Sequence, residues 1–166
     1  MGMKVKRIQT AAIIGHRELP ECILKIEEAL KQAARALIAR GVICFGAGGD
    51  TGFEALASRV LLELRDAEFP QVRLIRILPF KGLDAGWTPE QRSEFEKANS
   101  MANKVVWLAD EYTSDEQCHA RNRLLIDQAA HLIAYCTDTA ADNPTASGYR
   151  YAAKKGLNVI LLNDSL

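Results

Sequence analysis

No apolar run in this sequence approaches the roughly 18 residues that a membrane-spanning helix requires, so the chain reads as soluble, with no membrane partner. The segment Met1–Gly15 has a basic start and a short apolar run, but that run stops at Gly15-His16-Arg17, short of a signal-peptide core. Net charge is absent too: Lys plus Arg number 21, as do Asp plus Glu. A general nucleic-acid binder carries a basic excess, so nucleic acid is not the expected partner. Among the four cysteines, Cys22, Cys44, Cys118 and Cys136, there is no C-x-x-C pair, and none has zinc-ligand spacing with His16, His119 or His131. That pattern predicts reduced thiols in a cytoplasmic protein with no metal site and no required cofactor. Linkers, repeats and low-complexity tracts are missing as well, which predicts one domain over residues 1–166.

What is present is an alternation of apolar runs and helical patterns. Strands are expected at Ile8–Gly15, Val42–Phe45, Val72–Leu78, Lys104–Leu108, His131–Cys136 and Asn158–Leu162. Between the first two, Ile23, Ile26, Leu30, Ala33 and Leu37 recur at three- and four-residue steps, predicting a helix over Glu21–Arg40 that Gly41 caps. Phe53, Leu56, Val60 and Leu64 predict a second helix over Gly52–Arg65. Thr88-Pro89 with Gln91 has the form of a capped helix start. A helix over Ser114–Ala130, capped by Ser114 or Asp115, and one over Ser147–Lys155, starting as early as Pro144, complete the set. Strands separated by single helices imply crossover units. The expected architecture is an α/β Rossmann-like three-layer sandwich: a mostly parallel sheet of about six strands with helices on both faces. Pro79–Pro89 is the longest irregular stretch and reads as a lid or rim loop.

The stretch VICFGAGGDTGFEALA, Val42 to Ala57, crowds glycines between a strand end and a helix start. In open parallel sheets, ligands lie beyond the carboxyl ends of the strands, and a helix N-terminus there favours an anion. Gly46, Gly48, Gly49 and Gly52 therefore predict close approach of the backbone to a phosphate. The loop is not Walker A, for it has no lysine, and Thr51 breaks the dinucleotide pattern G-x-G-x-x-G. Other strand ends add polar groups: His16 and Arg17 after the first, Arg121 and Asn122 in the helix after the fourth, and Thr145 and Ser147 after the fifth.

The motifs IIGHR, AGGDTGFEALA, ILPF followed by a tryptophan, RNRLLID and the threonine before the last helix occur together in one order. In this the chain resembles the YpsA-like proteins, in the SLOG superfamily that joins the DNA-processing protein DprA (Smf) to the LOG-type nucleotide hydrolases. The resemblance covers nearly the whole chain. It implies a Rossmann-like fold binding a nucleotide or nucleotide derivative at the strand ends. Matched residues are Gly15, His16 and Arg17; Gly48, Gly49, Gly52 and Glu54; Arg121, Asn122 and Asp127; and Thr145. Relatives usually have Asp at the position of Glu54 and often Asp at that of His131. The family's G-G-T turn reads Asn143-Pro144-Thr145 here, and Gly148 stands where LOG hydrolases carry a catalytic glutamate.

Two functions follow as expectations. The first is binding or sensing of a nucleotide-type small molecule without catalysis. The second is N-glycosidic hydrolysis of a nucleotide, which requires a carboxylate near the anomeric carbon; Glu54 and Asp50 are the candidates in the glycine loop. Single-stranded DNA binding, as in DprA, lacks a basic stripe. Phe80, Trp87, Phe95, Met101 and Trp107 are more large apolar side chains than a rim segment needs, which predicts a homodimer.

Overall fold

The computed structural model describes residues 5–163. The basic start through Lys4 lies outside the described residues. Six strands form one all-parallel sheet in the order β4-β3-β2-β1-β5-β6: β1 (Thr10–Gly15), β2 (Cys44–Ala47), β3 (Arg73–Leu78), β4 (Lys104–Trp107), β5 (His131–Tyr135) and β6 (Asn158–Leu162). The helices are α1 (Leu24–Ala39), α2 (Phe53–Ala67), α3 (Pro89–Met101), α4 (Glu116–Asp127) and α5 (Pro144–Lys154). Buried side chains of α1 and α2 pack with Ile13, Phe45, Leu74 and Ile133 on one face of the sheet. Those of α4 and α5 pack with Ile14, Ile77, Leu132 and Ala134 on the other. Alternation along each strand delivers both sets, because successive residues point to opposite faces. The expected three-layer α/β sandwich is the observed one.

Element boundaries differ in instructive ways. The first strand begins at Thr10, not Ile8: Arg7–Gln9 form a 3-10 turn, closed by Gln9 N–H donating to the Lys6 carbonyl, and Ile8 is exposed. The second strand runs later than expected, to Ala47, since its register pairs Ala12 with Gly46 and Ile13 with Ala47. Gly46 is therefore a strand residue; a Cβ there would stand 2.9 Å from Leu125 of α4. The fourth helix starts at Glu116. Asp115 makes no cap bond; its carboxylate accepts from the Tyr112 hydroxyl, while the Gln117 side chain accepts from the amides of Thr113 and Ser114. Asn143 caps α5, accepting from the Ala146 amide.

The loop before α3 is not a loose lid. Leu83 is buried with Leu78 and Phe95, and Phe80, Trp87 and Trp107 pack around them. Trp87 meets Phe95 edge to face at 5.2 Å. This satellite core takes up part of the aromatic surface from which a homodimer was expected. Met101 packs on the α1–α2 side. Among the described residues, no helix is long and apolar enough to cross a membrane. The four cysteines are free thiols, Cys118 and Cys136 buried.

Candidate functional site

Chain order doubles back across β1. From β1 the chain steps outward through β2, β3 and β4, then returns to place β5 on the other side of β1. Loops leaving β1 and β5 therefore diverge to opposite faces, and a crevice opens between them at the carboxyl edge, the position where open α/β sheets take their ligands. A cavity of about 600 Å³ lies there. This volume is within the usual range for small-molecule sites.

Its walls come from five segments, one of them the end of β5 with Tyr135 and Thr137. The β1 end contributes Gly15, His16 and Arg17; the loop before α2 and its first turn contribute Asp50 and Glu54; α4 contributes Cys118, Arg121 and Asn122; and the start of α5 contributes Asn143, Pro144 and Thr145. Of the residues singled out from the sequence, Gly15, His16, Arg17, Asp50, Glu54, Arg121, Asn122 and Thr145 are gathered here. Gly48, Gly49, Gly52 and Ser147 are not on the cavity wall.

The glycines clear space for the protein itself rather than for a ligand. A Cβ on Gly48 would fall on Arg121 Nη1 and stand 2.6 Å from Glu54 Oε2. One on Gly15 would fall in the Phe53 ring, and one on Gly49 on Leu78, 2.7 Å from Arg76 Nη2. Gly52 has φ +76°, and a Cβ there would fall on the Arg17 carbonyl group. Three amides of the loop and helix start are also engaged. Phe53 N–H donates to the His16 carbonyl at 3.0 Å, Asp50 N–H to Glu54 Oε2 at 3.0 Å, and Thr51 N–H to the Asp50 carboxylate at 2.9 Å. Two carboxylates and a docked loop thus take up part of the space before α2 where a phosphate was expected.

Beneath the cavity runs a chain of buried polar groups. Arg121 grips Glu54 with two bonds, Nη1 to Oε2 at 3.2 Å and Nη2 to Oε1 at 2.8 Å. Its Nε donates to Asn122 Oδ1 at 3.0 Å, and Asn122 Nδ2 donates to the Pro144 carbonyl at 3.2 Å. Elements from both faces are tied together in this way. Burial pushes the Glu54 carboxyl up in pKa, against the pull of Arg121. Burial also raises the Cys118 thiol, which leaves it protonated and a poor nucleophile.

At the cavity mouth the pattern is looser. Arg17 Nε sits 2.6 Å from Asp50 Oδ2, with the arginine side chain 65% exposed. His16 Nε2 accepts from the Thr137 amide at 3.1 Å, so the neutral ring carries its proton on Nδ1. Its ring meets Tyr135 edge to face, and Tyr135 stacks on Phe53 at 5.4 Å. At the α5 end, Pro144 has no N–H and the Ala146 amide is held by Asn143. Thr145, next along that turn, is itself buried and lines the wall.

The sequence reading missed Tyr135, Thr137, Cys118 and Asn143. Tyr135 ends β5 and Thr137 follows it, so the strand-end rule itself would have found them. Two motif residues serve elsewhere. Asp127 accepts from Tyr151 Oη at 2.6 Å and from Lys155 Nζ, clamping α4 to α5. His131 sits at the opposite, amino end of β5, between the Ile8 carbonyl and Asn158. Gly148 is buried, and a Cβ there would stand 2.8 Å from the Ile14 δ-methyl, so a glutamate at that position would have to push that side chain aside. Among the described residues there is no group of three His, Cys, Asp or Glu placed to hold a metal ion.

The family model for YpsA, described as the YspA SLOG family, matches residues 16–158. The chain belongs to this SLOG family. Its curated relatives include UPF0398 proteins of Bacillus thuringiensis strain Al Hakam and Bacillus cereus strain AH187, each 28% identical over 125 residues. That alignment covers 75% of this chain and 66% of the relatives, so the chain spans just under two-thirds of their length. Among solved structures, DNA processing protein A from Helicobacter pylori, described for its single-stranded DNA binding mode, superposes with a TM-score of 0.63 at 20% identity. It is covered to 65% and this chain to 93%. DprA from Streptococcus pneumoniae gives a TM-score of 0.51 at 12% identity, covering 91% of this chain and 58% of that one. At such identities the likeness is one of fold.

Proposed function

We propose that the crevice between β1 and β5 binds a nucleotide or nucleotide derivative, without catalysis. The observation that carries this reading is the pairing of two unlike ends in one cavity. Asp50, a carboxylate at the mouth, suits ribose hydroxyls, and the α5 N-terminus with Thr145 suits an anionic group. Arg17 is exposed enough to leave Asp50 and reach a phosphate. The lining also carries Glu18, Asp50 and Glu54 against Arg17 and Arg121. That balance favours a small ligand with few charges over a polyanionic strand.

For the hydrolytic alternative the structure narrows the choice of carboxylate. Glu54 is locked by Arg121 and the Asp50 amide, so a hydrolase here would use Asp50.

A thermal-shift panel of AMP, ADP-ribose and an oligo-dT strand tests the reading, with free base monitored by chromatography. A shift with a mononucleotide or ADP-ribose and no released base is the expected result. No shift with any nucleotide, or a shift with oligo-dT alone, overturns it. Base release that disappears in Asp50→Asn would select the hydrolytic alternative.

A further inference from the structure

The glycine loop has a second side. Behind it, between α2 and α3, lies a groove of about 850 Å³. Leu56, Trp87, Phe95, Ala98 and Met101 line it, and so do Gly49 and Arg76. Arg76 lies on β3 between Leu74 and Leu78, is 1% exposed, and has no carboxylate within 4 Å among the described residues. Its Nε donates to Asn99 Oδ1 at 2.7 Å and its Nη1 to Ser58 Oγ at 2.9 Å. Nη2, the nitrogen beside Gly49, has no acceptor among the described residues, and the ring of Phe95 lies 5.3 Å from the guanidinium carbon.

Stability alone does not call for such a residue. An apolar side chain of similar volume in place of a buried ion is commonly neutral or stabilising. Burial drives the guanidinium down to about 10, a sign of how poorly its charge is compensated. Of the carboxylates on the groove, Asp50 pairs with Arg17, Glu63 with Arg59 and Asp66 with Arg65, and Glu94 is exposed on the rim. None of these pairs with Arg76; the carboxylate that does act on its charge is Glu54, which lies beyond ion-pair distance and is held by Arg121.

We infer that this groove is a second ligand site, separate from the β1–β5 crevice, which takes a small molecule with an apolar or aromatic body and a single anionic head, the head on Arg76 Nη2 and the body against Trp87, Phe95 and Met101. Asp50 lines both cavities, so the glycine loop is the wall they share.

Paired probes test this: 2-naphthoate, and 2-naphthamide as its neutral analogue, titrated by ligand-observed NMR. The acid binds about ten- to a hundredfold tighter than the amide, as expected for a charge-assisted hydrogen bond. Arg76→Met removes that preference, and Ala98→Trp, which fills the apolar end and leaves Arg76 in place, weakens both probes about tenfold or more. Equal affinities for acid and amide, no binding of either, or a preference that survives in folded Arg76→Met protein overturns the inference. If Arg76→Met does not fold, the wild-type preference and the Ala98→Trp loss decide. A dimer by light scattering that Ala98→Trp converts to a monomer assigns the groove to a second copy, and also overturns it.

Discussion

Glu54 and Arg121 stand 67 positions apart, on helices covering opposite faces of the sheet, and meet in a two-bond ion pair in the space that Gly48 leaves empty. Both side chains are almost fully buried, at 1% and 6% exposure. Removing one partner strands the other charge in the interior. Glu54→Ala or Arg121→Ala is expected to destabilise by about 3–5 kcal/mol in urea denaturation. The double replacement by Met is expected to recover most of that loss, giving a large coupling energy in a double-mutant cycle.

Gly48 has a negative φ, so a mild effect would follow if only backbone conformation mattered. The geometry says otherwise, because an added methyl falls on the Arg121 guanidinium. Gly48→Ala is expected to lower stability by roughly 1–3 kcal/mol, the range for an overpacked interior. Gly49→Val is expected to lose stability too, through Leu78 and Arg76, and so cannot report on phosphate binding. Thermal denaturation of both variants checks this; a wild-type Tm for either contradicts it.

Arg17 separates binding from stability. Its ion pair with Asp50 is largely exposed. Arg17→Ala should therefore change stability by less than about 1 kcal/mol. Loss of a charge-assisted bond should still weaken a nucleotide that shifts the wild-type Tm by about tenfold or more. Calorimetric titration beside a denaturation curve distinguishes the two effects.

Thr88 Oγ1 accepts from the Gln91 amide at 3.1 Å, and Gln91 Oε1 in turn accepts from the Thr88 amide at 3.0 Å. Thr88→Ala should cost about 0.5–2 kcal/mol. Because α3 walls the groove over Arg76, hydrogen exchange of its first turn should rise with it.

Asp127 is held below the ordinary carboxyl pKa, first by Lys155 and then by Tyr151. A depressed folded pKa adds stability above the unfolded value of about 3.9, which is lost as pH falls through the folded value. The stability gap between wild type and Asp127→Asn should thus be constant above about pH 5 and shrink below about pH 4. A gap that widens in acid would contradict the assignment.

Local chemistry made much of this molecule legible in its sequence. Period-two and three-to-four-residue apolar patterns depend on which face is buried, and they delivered six strands, five helices and the layer order. The strand-end rule then gathered His16, Arg17, Asp50, Glu54, Arg121, Asn122 and Thr145 into one crevice, because parallel strands must all end on the same side. Some properties had no local signal. Whether a glycine faces ligand or protein depends on what the fold brings opposite it: Arg121 at Gly48, Leu78 at Gly49, the Arg17 carbonyl at Gly52. The same holds for Glu54, a free carboxylate in the sequence and half of a buried ion pair in the fold. Arg76, one residue of an apolar strand, became a buried charge beside a groove only when α2 and α3 closed over it. These are contacts between residues far apart in the chain, and only packing of the finished sheet and helices could decide them.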